Sequence, residues 1–228
     1  MEKKLKHLCQ EHQRENLFSY PQNPANDVIQ FASFLEDHGL QGGEAIDLGC
    51  GKGVNALYLA QHGYKVVALD LSKENIEELN QKAMAMKLSI KGYCQYITMP
   101  WPVKNNQFDA AIDISCYKHI VDKDAQKSYR QHLHAALKNS GYYLLSLASD
   151  EDGFYKPLLA SSPDPASKLV IDPFSQIPSR LYSLYELAEE FSDDFQIVHA
   201  KKIEKISALY GKDYQSQTLS IIFQKKFK

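Results

Sequence analysis

Two rhythms of apolar and polar residues alternate along this chain. Short apolar runs at 45–48, 65–70, 92–97, 108–115 and 142–148 have the length of buried strands. Between them apolar residues return every three or four positions, which predicts helices over 27–38, 54–62, 73–86 and 122–138. In the last of these Tyr129, Leu133, Ala136 and Leu137 share one face. Punctuation supports the boundaries. Gly63 stops the second helix, and Ser72 caps the third, with Glu74 to Glu78 near its positive end. Ser183 caps a further helix that presents Leu184, Leu187, Ala188 and Phe191. Runs at 195–203 and 218–224 read as two final strands, close enough to pair as a hairpin. Strict strand–helix alternation predicts an α/β fold in which a mostly parallel sheet is covered by helices on both faces.

Composition narrows the class without naming a function. At 228 residues one domain spanning 1–228 is the expectation, and 44% hydrophobic content suits a globular chain. A net charge of −2 gives no basic field for nucleic acid. No apolar stretch approaches ~20 residues, so no membrane span is expected. The first residues carry charge with no apolar core behind them, unlike a signal peptide. Cys9, Cys50, Cys94 and Cys116 lack metal-ligand spacing and read as reduced thiols of a cytoplasmic protein, with no metal site. There is no internal repeat or low-complexity tract.

Chemistry concentrates after the first strand. Ala45-Ile-Asp-Leu runs into Gly49, Gly51 and Gly53, where backbone can approach a ligand closely because no Cβ intervenes. The next strand ends at Asp70, whose carboxylate suits ribose hydroxyls. This is a nucleoside-binding βαβ unit. A dinucleotide fingerprint would place its third glycine where Val54 stands. Asp47 would repel a pyrophosphate but suits the cationic amino end of S-adenosylmethionine. Cys50, inside the turn, is expected to pack near the ligand.

The run from Ile46 to Ser72 resembles the first motifs of class I S-adenosylmethionine-dependent methyltransferases, in the small-molecule branch of tellurite-resistance-type and ubiquinone-biosynthesis-type enzymes. Met99-Pro-Trp-Pro-Val-Lys-Asn-Asn-Gln-Phe-Asp resembles that branch's segment leading into the fourth strand, and Leu137-Lys-Asn-Ser-Gly-Tyr-Tyr-Leu-Leu its entry to the fifth. The resemblance implies a Rossmann-like seven-stranded sheet with the last strand antiparallel, S-adenosylmethionine as cofactor, and a small-molecule acceptor. It places Leu71 and Ile97 about the adenine and the 95–97 segment, Tyr96 included, along the cleft. It puts Asp113 and Ile114 near the methionine portion. Where relatives carry an acid for the adenine amine, this chain has Gln95, whose amide oxygen accepts a weaker, neutral bond.

Methyl transfer needs alignment and exclusion of water, and a base only for a hydroxyl acceptor. Candidate bases are His119 and Tyr117, past the fourth strand, and Tyr20 in the N-terminal segment. Relatives often carry a His-His pair at 118 and 119, and here the first is Lys118. Substrate choice is expected from two cap elements, 1–26 and 150–182. The second holds five of the nine prolines yet is too apolar for a solvated linker. It suits a lid over an apolar or aromatic substrate, with dimer contact or simple packing as the other readings. The Asn-Pro-Pro-Tyr and Pro-Cys signatures of DNA methylation are absent, and terminal lysines without stacking aromatics make a poor nucleic-acid platform. The expected assembly is monomer or homodimer. Two other classes compete: a non-catalytic cofactor-binding regulatory protein, and an NAD-dependent oxidoreductase.

Overall fold

The computed structural model describes residues 22–227. Helix α1 (Asn26–Asp37) precedes β1 (Gly43–Leu48), α2 (Val54–Gln61), β2 (Tyr64–Asp70), α3 (Lys73–Ala85) and β3 (Ile90–Cys94). The second half has β4 (Phe108–Ile114), a 3-10 turn (Tyr117–His119), α4 (Lys123–Ala136) and β5 (Leu137–Ala148). Then follow α5 (Tyr155–Ala160), β6 (Leu169–Ile171), β7 (Pro178–Arg180), α6 (Leu184–Phe191), β8 (Phe195–Leu209) and β9 (Lys212–Lys225).

Seven strands form one sheet in the order β3-β2-β1-β4-β5-β9-β8. The first five are parallel, and β9 runs antiparallel to both β5 and β8. Strand order reverses between β1 and β4, and in such sheets ligands settle outside the carboxyl ends at that crevice. Successive strand residues face opposite sides. Ala45 therefore joins α1, α2 and α3 through Phe31, Leu59 and Leu79, while Ile46 joins the opposite core of Tyr129, Leu133, Phe191 and Phe223.

Three boundaries differ from the sequence expectation. The third strand runs 90–94, not 92–97, because its register on β2 pairs Ile90 with Val66 and Cys94 with Asp70. Gly92 sits under Asn80, whose amide bonds both its N–H and its carbonyl. Residues 95–97 leave the ladder and turn along the cleft. The fifth strand starts at Leu137, directly after α4, through an irregular stretch before Tyr142 regains register on Ala110. The last hairpin extends to a two-residue turn at Tyr210 and Gly211, both at positive φ (51° and 74°), the conformation that joins twisted strands.

The 150–182 stretch has structure of its own. Phe154 just before α5, Tyr155 at its start and Val170 of β6 pack with Leu181 against Leu209, Tyr210 and Tyr214 of the extended hairpin. Polar ties bridge the same parts. Asp152 accepts from Gln217 N–H at 2.9 Å, and Tyr210 donates to Asp172 at 2.7 Å. Among the described residues no helix is long and apolar enough to cross a membrane.

Candidate functional site

The glycine turn is built by close packing. Gly49 has φ 74°, and a Cβ there would lie 2.3 Å from Cys116 Sγ. At Gly53, φ 78°, a Cβ would lie 2.3 Å from Leu79 of α3. Gly53 thus supplies the close helix contact that a dinucleotide fingerprint assigns one residue later. The turn is pinned from β2. Gly49 and Cys50 N–H both donate to Leu69 O, and Gly51 N–H donates to Asp70 Oδ2 at 2.8 Å. The other oxygen, Oδ1, accepts from Ser72 N–H at 2.8 Å and Asn75 Nδ2 at 3.3 Å. Three donors leave room at a carboxylate with about four acceptor sites.

Around this turn lies a cavity of about 630 Å³. Of the sequence candidates, Gly49, Gly51, Asp70, Leu71, Gln95, Tyr96, Ile97, Ile114 and His119 line it. Gln95 donates through Nε2 to Pro100 O at 3.2 Å, which makes its amide oxygen the acceptor. The imidazole of His119 is held from the cap: Nδ1 lies 3.1 Å from both Pro178 O and Ser179 Oγ. A carbonyl only accepts, so Nδ1 carries a proton, which makes Nε2 the acceptor whenever the ring is neutral.

Other candidates stand apart from the cavity. Tyr117 is fully buried, its hydroxyl donating to Glu190 and accepting from Arg130 at 2.8 Å. Burial and the Glu190 charge push that phenol well above its ordinary pKa, the reverse of what a base needs. Asp113 is equally enclosed. Its Oδ1 accepts from Cys116 and Tyr117 N–H and its Oδ2 from Tyr129 OH, so it holds the turn after β4. Burial raises its pKa to about 6. Cys50 and Gly53 shape the turn from behind, and burial raises the Cys50 thiol. Tyr20, like all of 1–21, lies outside the described residues.

Asp47 lies beneath the turn, 1% exposed, on the β1 face that otherwise takes Ala45. Its Oδ2 has no hydrogen-bond partner. Burial first, then the Asp113 and Asp70 charges, raise its pKa to about 8.

Ser115 closes the predicted fourth strand at the crevice, whereas several other lining residues carry no signal in the sequence. Ser115 and Cys116 line it because Ser115 adopts φ 67° and bends the chain across the crevice. Asp122 and Ala125 bring the first turn of α4 to its edge, with Asp122 capping through Ala125 N–H. Ile177 and Pro178 arrive from the cap, far along the chain. Apolar periodicity finds neither group, although it begins a helix at 122.

The family model described as a methyltransferase domain matches residues 45–141, which span the turn, Asp70 and β1 to β4. Over these residues, fewer than half of the chain, the sequence is that of a class I S-adenosylmethionine-dependent methyltransferase domain. An uncharacterised methyltransferase of Schizosaccharomyces pombe is 28% identical to it over 111 residues, 49% of this chain and 76% of the relative. Its fold matches that of a methyltransferase from Methanosarcina mazei with TM-score 0.72 at 19% identity, covering 86% of this chain and 98% of the other. A Burkholderia thailandensis 1,6-didemethyltoxoflavin N1-methyltransferase, solved with its acceptor and S-adenosylhomocysteine, matches with TM-score 0.67 at 20% identity, covering 89% and 79%.

The site of this methyltransferase suits its cofactor, S-adenosylmethionine. A ribose-type carboxylate borders the cavity beside the glycine turn, and an orphaned buried carboxyl oxygen lies below that turn.

Proposed function

We propose that the enzyme methylates a small organic acceptor held between the cofactor turn and the 150–182 cap. One observation carries this reading. A single cavity is walled on one side by Gly49, Gly51 and Asp70, and on the other by His119, Ile177 and Pro178. Cofactor-type groups and a held imidazole thus share a chamber that the cap closes. The toxoflavin enzyme, similar in fold, works on a small molecule, and the roof here is apolar rather than basic.

In this reading Asp70 binds the ribose, and Leu71 and Ile97 flank the adenine with Gln95 accepting from its amine. Asp47 faces the cationic amino end, while Asp113 acts at one remove by fixing the 115–117 turn. Bound S-adenosylmethionine supplies a methyl group already activated by its sulfonium. The protein aligns the acceptor and excludes water. With a hydroxyl acceptor, His119 Nε2 takes the proton.

The test is S-adenosylhomocysteine formation across a panel of small aromatic amines, phenols and thiols, with duplex DNA and peptides as controls. Turnover with small molecules is expected. Turnover only with peptide or DNA would overturn the reading. For a hydroxyl acceptor His119→Gln lowers kcat by roughly 10²–10⁴-fold, the usual worth of a general base, and leaves S-adenosylhomocysteine affinity unchanged. A thiolate acceptor should lose far less.

A further inference from the structure

The cap encloses a second cavity, of about 430 Å³. Leu158, Pro163, Leu169, Val170 and Ile171 line it, and no charged side chain does so among the described residues. Its polar lining is Ser161 and Ser162. The Ser161 hydroxyl is already used within α5, donating to Pro157 O and Leu158 O at 3.1 Å. Leu169 and Ile171, 39% and 62% exposed, form an apolar mouth.

Two residues tie this cavity to the cofactor chamber. Val121 and Pro178 belong to both linings. Pro178 also accepts from His119 Nδ1 through its carbonyl, so the strand between the cavities is the one that holds the imidazole. Each volume lies within the range of small-molecule sites, about 300–1,000 Å³.

We infer that the cap cavity binds the apolar body of the methyl acceptor. The acceptor is then an elongated, uncharged molecule: its ring or chain lies among Leu158, Leu169 and Val170. Its nucleophilic atom passes Val121 and Pro178 to reach His119. This inference rests on the methyl-transfer reading above and adds the acceptor's chemistry and second subsite. A charged body is disfavoured on physical grounds, because the lining offers no ion and only the Ser162 hydroxyl beyond the engaged Ser161 to offset its desolvation.

The probe is 2-naphthol, a neutral bicycle with one hydroxyl, titrated calorimetrically into protein saturated with S-adenosylhomocysteine. Binding at one site per chain is expected, without displacement of S-adenosylhomocysteine. Leu169→Arg combined with Ile171→Arg places charge at the mouth on already exposed positions. It should weaken naphthol at least tenfold and leave S-adenosylhomocysteine affinity within twofold. Ser161→Trp, which fills the cavity from its opposite lip without charge, should do the same. Wild-type naphthol affinity in these variants, competition between naphthol and S-adenosylhomocysteine, or no naphthol binding would each overturn the acceptor assignment alone. Failure of the wild type to bind S-adenosylhomocysteine would overturn the methyl-transfer reading with it.

Discussion

The glycine turn and the cap wall the same chamber, but the chain builds them over different distances. The turn is tied to Asp70, nineteen residues away, and to Leu69 beside it. The cap is tied by Asp152 to Gln217 at a separation of 65, by Tyr210 to Asp172 at 38, and by Lys118 to Tyr155 at 37. The turn also has no slack, since Cys116 and Leu79 occupy the space a side chain would need. The cap keeps a 430 Å³ void and an exposed apolar mouth. A cofactor that never changes allows one solution, built locally. A subsite for a variable acceptor can be assembled from whatever the distant chain brings near.

The sharpest contrast is between glycines of equal φ. Gly49 and Gly211 both have φ 74°, yet a Cβ meets Cys116 at the first and nothing within 4 Å at the second. Gly49→Ala combines backbone strain with overpacking, roughly 2–4 kcal/mol, and should abolish S-adenosylhomocysteine binding. Gly211→Ala should cost only the strain, about 1 kcal/mol, and leave binding intact. Denaturant midpoints measure both. Equal costs would break the contrast.

Next in size is a pH effect confined to the cofactor half. Asp47 has a pKa of about 8 in the fold against 3.8 as a free side chain. The folded state therefore keeps a proton that the unfolded chain releases. Stability from this group is full below pH ~4 and falls as pH rises toward 8, by at most about 1.4 kcal/mol per unit. Asp113, raised to about 6, adds to the slope over the lower part of that window. Asp47→Asn should flatten the slope between pH 6 and 8, measured by urea unfolding. If the ligand's ammonium faces Asp47, S-adenosylhomocysteine binding releases a proton and tightens from pH 6 to 8. An unchanged slope in the variant would remove Asp47 as its source.

The last expected effect lies in the cap and leaves the cofactor site untouched. Lys118 is buried, with Nζ 2.8 Å from Tyr155 OH and 4.6 Å from the ring centroid. Tyr155→Phe removes the hydrogen bond and keeps the ring, costing about 1–2 kcal/mol without altering S-adenosylhomocysteine affinity. A loss of cofactor affinity in that variant would show that the two regions are coupled rather than separately built.

This difference in distance also decides what the sequence reveals. The β1 turn, Asp70 and the Ser72 and Ser183 caps are local patterns, and the structure reproduces them, the Ser183 box with Glu186 included. The bend of 95–97 out of β3 depends on register with β2, which no local pattern encodes. Ile177 and Pro178 reach the chamber only because β6 and β7 fold back on the turn at Tyr117–His119. Tyr117 and His119, two residues apart, read alike in sequence, but packing sends one hydroxyl to Glu190 and holds the other's ring at the chamber. Asp113 shows the same limit: a strand-end acid beside the ligand site turns out to be consumed by backbone and Tyr129.

The central claim is that the Gly49–Gly53 turn and Asp70 form the cofactor cradle. It is tested most directly by thermal unfolding of wild type and Asp70→Ala with S-adenosylhomocysteine, and with NAD in parallel. At a hundredfold excess over Kd the ligand contributes about 2.7 kcal/mol, which raises the wild-type Tm by roughly 5–10 °C for a chain of this size. Loss of the charge-assisted ribose bond costs roughly 1.5–3 kcal/mol of affinity, so at the same concentration Asp70→Ala should keep only about a tenth to a half of that shift, and NAD should give none. An equal shift in Asp70→Ala, or a shift with NAD in place of S-adenosylhomocysteine, would contradict the account.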